Sequence, residues 1–130
     1  MHLKLNSRAP VYIQVIQYFK VRIASGALAK GEEIPSRREL AQKLNINPNT
    51  VQRAYKEMEE EGLIYTEGNQ PSKVTNDEKI IQKVRENLLT EAVETFISSV
   101  YTLQVPLDDI VALVKEYYEK HKENRREGSD

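Results

Sequence analysis

Apolar residues recur along this chain at two periods, and the switches between them mark its elements. Val11, Tyr12, Val15, Ile16, Phe19 and Ile23 fall at helical spacing. They predict a helix over 11–25, closed by Gly26, because glycine accepts positive φ at a C-terminal cap. Ahead of it, Leu3 and Leu5 alternate with His2, Lys4 and Asn6, the pattern of a short strand or an arm. Residues 28–33, with Gly31, read as a turn region. A second helix opens at Ser36, which stands at capping-box spacing from Glu39 and precedes an apolar face of Leu40, Ala41 and Leu44. After a break at Asn45-Ile46, Asn47 suits an N-cap and Pro48 the first helical position, where a missing N–H costs nothing. This third helix gathers Val51, Ala54, Tyr55 and Met58 on one side and ends at Gly62.

The period then falls to two. Residues 63–66 favour a strand, 67–71 a turn and 72–75 a returning strand, which together make a hairpin. Thr75 and Glu78 have the spacing of another capping box. A long helix follows from about residue 77 to 103. Pro106 interrupts it, a last helix covers roughly 107–122, and the polar end from Glu123 is expected to fray.

Composition narrows the classes. With 39% hydrophobic and 30% charged residues the chain reads as a soluble globular protein. No apolar run approaches the roughly 18–20 residues that cross a bilayer, and residues 1–6 lack the apolar core of a secretory signal. The absence of cysteine excludes disulfides, thiolate metal sites and cysteine nucleophiles. These features fit a cytoplasmic protein with no membrane partner. His2 and His121 stand near opposite ends, and Asp108-Asp109 and Glu59-Glu60-Glu61 read as helix-end or surface acids. No Gly-rich phosphate loop or Gly-x-Ser-x-Gly is present, so we expect neither an enzyme nor a metal or other cofactor.

The net charge is −1, but residues 1–56 carry ten Lys/Arg against three acids, so the remainder is strongly acidic. A basic working surface and an acidic scaffold would produce that asymmetry, as would an ordinary uneven surface. Three short helices followed by a two-stranded hairpin make a winged helix-turn-helix. In that arrangement the second helix props the third, whose N-terminal side chains meet the major groove. Asn47, Asn49, Thr50 and Gln52 are hydrogen-bonding groups at that helix start, Arg53 and Lys56 add charge one turn on, and Arg37 and Arg38 open the supporting helix.

The segments Pro10-Val11-Tyr12-Ile13-Gln14, Gly26-Ala27-Leu28, Gly31, Pro35-Ser36-Arg37-Arg38-Glu39-Leu40-Ala41 and Asn47-Pro48-Asn49-Thr50-Val51-Gln52-Arg53-Ala54-Tyr55, continued by Glu59, Gly62 and Ile64, resemble the GntR family of bacterial regulators. The Asn-Pro-Asn-Thr-Val run looks most like its YtrA-type subgroup, in which only two dimerising helices follow the DNA-binding domain. The resemblance implies a transcription regulator, more often a repressor, that binds double-stranded operator DNA as a homodimer. The arginine of the family's Pro-Ser-x-Arg motif, a DNA contact, falls on Arg38. The recognition helix falls on Asn47, Pro48, Asn49, Thr50, Gln52 and Arg53. Gly68 falls at the wing tip, although here Asn69-Gln70-Pro71 replace the usual second glycine. Arg37 reads as a phosphate contact or as plain surface, Arg53 as a DNA contact or a partner of Glu57, and Asn47 as an N-cap first.

Beyond Ile81 the apolar positions come in adjacent pairs, too wide a stripe for one seam. Two helices cannot cover such faces alone. Either they form a four-helix bundle with a second copy or they pack back on the same chain. The first arrangement places Leu88, Ala92, Phe96, Ile97, Val100, Ile110, Val114 and Tyr117 at a dimer interface. The expected fold is therefore mostly α: a winged helix-turn-helix over 1–76 (three helices plus a β-hairpin wing), a two-helix dimerisation hairpin over 77–124 and a flexible tail over 125–130. The residues name no operator and no small-molecule effector, and a winged helix used as a protein adaptor stays open at this point.

Overall fold

The computed structural model describes residues 2–127. They form α1 (Val11–Ser25), α2 (Arg37–Leu44), α3 (Pro48–Glu60), β1 (Ile64–Tyr65), β2 (Lys73–Val74), α4 (Glu78–Tyr101) and α5 (Leu107–Glu127). The chain divides between Thr90 and Glu91 into two compact units.

In the first unit α1 buries Val15, Ile16, Phe19, Ile23 and Ala24 and is stopped by Gly26, whose φ of 84° is left-handed. The residues before it form an arm, not a strand. Gln14 holds that arm by accepting the N–H of Asn6 (3.0 Å) and donating to the carbonyls of Asn6 (2.8 Å) and Ala9 (2.7 Å). At the start of α2, Ser36 Oγ accepts the N–H of Glu39 at 3.1 Å, and Leu40 and Ala41 face inward. Asn45 closes α2 in the left-handed region (φ 52°), three residues before α3 begins. Val51, Ala54, Tyr55 and Met58 are all buried, and Tyr55 meets Phe19 edge-on at 5.9 Å. At Gly62 the chain turns with φ +77°, which side chains rarely adopt, and a Cβ there would stand 2.9 Å from Ile80 Cδ1, so any other residue would be strained and would push that side-chain end aside.

The hairpin pairs Ile64 with Val74 and Tyr65 with Lys73, antiparallel. Residues 31–33, which read as a turn, and Ile34 run along the far edge of β2: Gly31 N–H donates to Val74 O, Val74 N–H to Glu32 O and Ile34 N–H to Ser72 O, each at 2.9 Å. Strands of two residues are too short to hold a sheet alone. The partner that steadies them lies about 40 residues away, beyond any local periodicity. The unit reaches Thr90, past the boundary read at residue 76, because Ile81 and Val84 of α4 are buried in its core and Leu88 packs against it. The cap of α4 also differs from the reading. Asp77 Oδ1 accepts the N–H of Lys79 (2.9 Å), while Thr75 Oγ1 accepts that of Asp77 (3.0 Å).

The second unit holds the last turns of α4, a turn with Gln104 at φ 54°, and α5. Nothing from 91 to 126 is buried; Val100 and Ile110 are half-buried. The helix expected to end near 122 continues through Arg125 and Arg126. Ion pairs Glu116–Lys120 and Glu119–Lys122 support it, and the two arginines oppose the negative end of its dipole. The rest of the expected tail, 128–130, lies outside the described residues. Among the described residues no helix is long and apolar enough to cross a membrane.

Candidate nucleic-acid interface

Burying Val51, Ala54, Tyr55 and Met58 leaves the complementary positions of α3, Asn49, Gln52, Arg53 and Lys56, exposed on one face at the same helical spacing. Thr50 is half-buried beside them, and Asn47 and Pro48 are exposed at the helix start. Asn47 acts as the N-cap: its Oδ1 accepts the N–H of Asn49 at 2.8 Å, and its carbonyl accepts that of Thr50 at 2.9 Å. Pro48 has no N–H. The first turn therefore offers few free backbone donors to an anion, and the face acts through its side chains. Asn47 keeps its amide NH₂, and Asn49 and Gln52 keep whole amides; these match the donor and acceptor patterns of base edges in a major groove.

The two arginines of α2 have different surroundings. Arg38 is exposed and makes no ion pair or side-chain hydrogen bond among the described residues. Arg37 is held inside the fold, where its Nη2 donates to Glu59 Oε1 at 2.7 Å and its guanidinium lies 5.1 Å from the centre of the Tyr55 ring. Its Nε is buried without a partner. The reading of Arg37 as plain surface is thus replaced by an internal brace from α2 to α3. Arg53 leans on α1, 3.7 Å above the Tyr12 ring, donates to the Tyr12 hydroxyl at 3.0 Å and lies 3.8 Å from Glu57. Gly68 is exposed at φ +55° in the wing turn, where Gln70 N–H closes on Glu67 O at 3.0 Å. The tip from 67 to 71 carries no Lys or Arg.

Of the ten basic residues up to Lys56, ion pairs occupy four: Lys20 with Glu61, Lys30 with Glu78, Arg37 with Glu59 and Arg53 with Glu57. Lys4, Arg8, Arg22, Arg38, Lys43 and Lys56 form none among the described residues. The Lys30 ammonium, by hydrogen bond and charge, lowers the pKa of the Glu78 carboxyl. Behind the exposed face, burial pushes the Tyr55 phenol far above its usual range, and its hydroxyl donates to Pro35 O at 2.6 Å. The residue read as core is core.

Sequence reasoning missed three side chains here. Glu59 Oε1 accepts both Arg37 and the Thr66 hydroxyl (3.0 Å), and Thr66 Oγ1 lies 2.6 Å from Ser72 Oγ. The one available signal was that Glu59 stands four residues after Tyr55, on the inward side of α3. In the second unit, Val100, Ile110, Val114 and Tyr117 line one open apolar cleft of 490 Å³ together with Phe96. Ile97 lines a different one, of 850 Å³. Ala92 is exposed. Leu88 stands apart from this group, against the core of the first unit.

Residues 11–74 match the description of bacterial regulatory proteins of the gntR family. The chain is 32% identical to the HTH-type transcriptional repressor YtrA of Bacillus subtilis (strain 168), over 85% of this chain and 86% of that one. It resembles the solved structure of a GntR family transcriptional regulator from Listeria monocytogenes with a TM-score of 0.80 and 35% identity, covering 86% and 98% of the two chains. The AraR DNA-binding domain in complex with operator ORR3 superposes with a TM-score of 0.50 at 25% identity, over 58% of this chain and 93% of that one.

Proposed function

We propose that this chain, which belongs to the YtrA-type subgroup of the GntR family of bacterial regulatory proteins, represses transcription in the cytoplasm by binding an inverted-repeat operator as a homodimer. The observation that carries the reading is the division of α3 into a fully buried side and a polar side of Asn49, Gln52, Arg53 and Lys56. Arg38 stands exposed on the supporting helix with no internal employment. A fixed scaffold under short amides and an uncommitted arginine is what base readout requires. The operator complex of the AraR DNA-binding domain and the similarity to the repressor YtrA support the DNA and the sign of regulation. The dimer is supported by the second unit, whose apolar residues, Phe96 and Ile97 among them at 41% exposure, are left uncovered by a single chain.

The test is selection of bound duplexes from a random-sequence library by the full-length protein, followed by titration of the winner and of a scrambled duplex over a range of salt. The expected result is an inverted repeat, bound more tightly than the scramble, with both affinities falling as salt rises through counterion release. Equal and weak binding to every duplex at all salts would return the fold to the adaptor reading.

A further inference from the structure

The wing tip, residues 66–71, is exposed throughout, and its one internal backbone bond is the turn from Gln70 to Glu67. What fixes it against α3 is a relay of side chains. Thr66 has a single hydroxyl hydrogen, and Glu59 Oε1, a carboxylate oxygen that only accepts, takes it at 3.0 Å. Ser72 Oγ, 2.6 Å from Thr66 Oγ1, must then donate to Thr66. Ser72 is buried at the foot of the returning strand, so the relay crosses both stems of the hairpin where the tip begins. Arg37 Nη2 reaches the same Oε1 from α2 at 2.7 Å. Donors from α2 and from the first wing stem thus converge on one carboxylate carried by α3, and the second stem joins through Thr66.

We propose that Glu59 is a positioning residue that ties the wing to the recognition helix, and that tight operator binding depends on this tie. The inference rests on the DNA-binding reading above. The physical reason is preorganisation. With the tie made, the tip and the polar face of α3 reach DNA as one body. With it broken, the tip samples more orientations and its ordering is charged to binding. Thr66 is exposed, but its loss also takes the acceptor from the buried Ser72 hydroxyl, so the binding loss is read against the change in melting temperature.

Full-length Thr66→Val, Thr66→Ser and Glu59→Ala, with the Glu59→Ala/Thr66→Val double variant, are titrated with the duplex selected by the wild type and with its scramble. Thr66→Val, which keeps the shape and loses the hydroxyl, is expected to weaken the selected duplex by about 5- to 15-fold, the net worth of one ordinary hydrogen bond. The scramble should change by less than about twofold, while melting falls by up to several degrees because the buried Ser72 hydroxyl loses its acceptor. Thr66→Ser restores wild-type binding. In the Glu59→Ala background Thr66→Val adds less than about twofold, because the two act through one bond. Unchanged binding by Thr66→Val overturns the proposal. So does an equal loss on both duplexes that follows the melting temperature, or additive losses in the double variant. If Glu59→Ala does not fold, the Val and Ser pair decides alone. A wild type that selects no sequence overturns the operator reading itself, and this proposal with it.

Discussion

Arg37 and Arg38 are neighbours of the same type with opposite surroundings, so Arg37→Ala and Arg38→Ala should fail in different assays. Arg37→Ala removes the 2.7 Å pair to Glu59 and the contact over Tyr55. The two side chains are 32% and 35% exposed, so solvent screening holds the ion pair to about 0–1 kcal/mol. The cation–π contact adds about 0.5–1 kcal/mol. Against these stands the buried, unpartnered Nε, whose desolvation the substitution relieves. The net expectation is a loss of about 1 kcal/mol, or roughly 4–8 °C in Tm for a unit of this size. Arg38 makes no ion pair or side-chain hydrogen bond among the described residues, and alanine is at least as good a helix former, so Arg38→Ala should leave Tm unchanged. Its loss belongs to the operator, at about 1–3 kcal/mol with relaxed preference at one base pair of each half-site. Differential scanning fluorimetry paired with anisotropy titration of the selected duplex and its single-base variants reads both. The reasoning is refuted if Arg38→Ala lowers Tm as far as Arg37→Ala does. It is equally refuted if Arg37→Ala, while folded, loses as much operator affinity as Arg38→Ala.

Other outcomes follow from the same geometry. Footprinting on the selected duplex should protect two half-sites related by a two-fold axis; protection of one isolated half-site by a monomer would contradict the dimer. Phe96→Asp, which sets a carboxylate into the apolar cleft proposed as the dimer interface, is expected to cost the dimer several kcal/mol and to sediment as a monomer with a folded first unit and weakened operator binding; an unaltered dimer removes Phe96 from the interface. Because burial raises the Tyr55 pKa in the folded state, the stability it confers is complete below the unfolded phenol pKa of about 10 and is lost as pH climbs above it. The wild type should therefore lose stability above about pH 10 more steeply than Tyr55→Phe; identical alkaline profiles would remove Tyr55 as the cause.

The helices of the first unit were legible because each begins and ends on a chemical signal. Ser36, Asn47-Pro48 and Gly26 stand where the caps form, and the spacing of Val51, Ala54, Tyr55 and Met58 fixed which side of α3 faces outward. Readings failed where the deciding partner is remote in sequence. Residues 31–34 have no strand pattern of their own and are extended because β2 needs a second edge. Arg37 became a brace because Glu59, 22 residues on, sits one turn beyond Tyr55 on α3. Thr75 and Glu78 have capping spacing, yet Asp77 lies nearer the helix start and takes the role. A long amphipathic stripe also hides a change of partner. Leu88 continues the periodicity of Phe96 and Val100, but its neighbours are the core of the first unit.

The boundary at Thr90 changes the electrostatic argument. Cut at residue 56, the basic half has an excess of seven positive charges; cut at Thr90, the first unit has 14 Lys/Arg against 11 acids, an excess of three. Four of the acids gained, Glu57, Glu59, Glu61 and Glu78, are those that pair with basic residues of the first 56. Six of those basic residues remain without an ion pair among the described residues. Over the whole first unit ten of the 14 Lys/Arg form no ion pair among the described residues, so its sequence-independent hold on a duplex comes from those cations and weakens as salt rises. On the proposed reading, specificity rests on the amide and guanidinium groups of α3 and on Arg38, and one recognition helix reads one half-site. Joining two such units makes the second contact intramolecular, at an effective concentration set by the linkage rather than by the cell. On the proposed dimer reading, the acidic, apolar-striped second unit is the surface on which that linkage forms, without adding charge that would grip DNA indiscriminately. On this argument the modest charge of the first unit and the uncovered apolar faces of the second are two sides of one solution to operator selectivity.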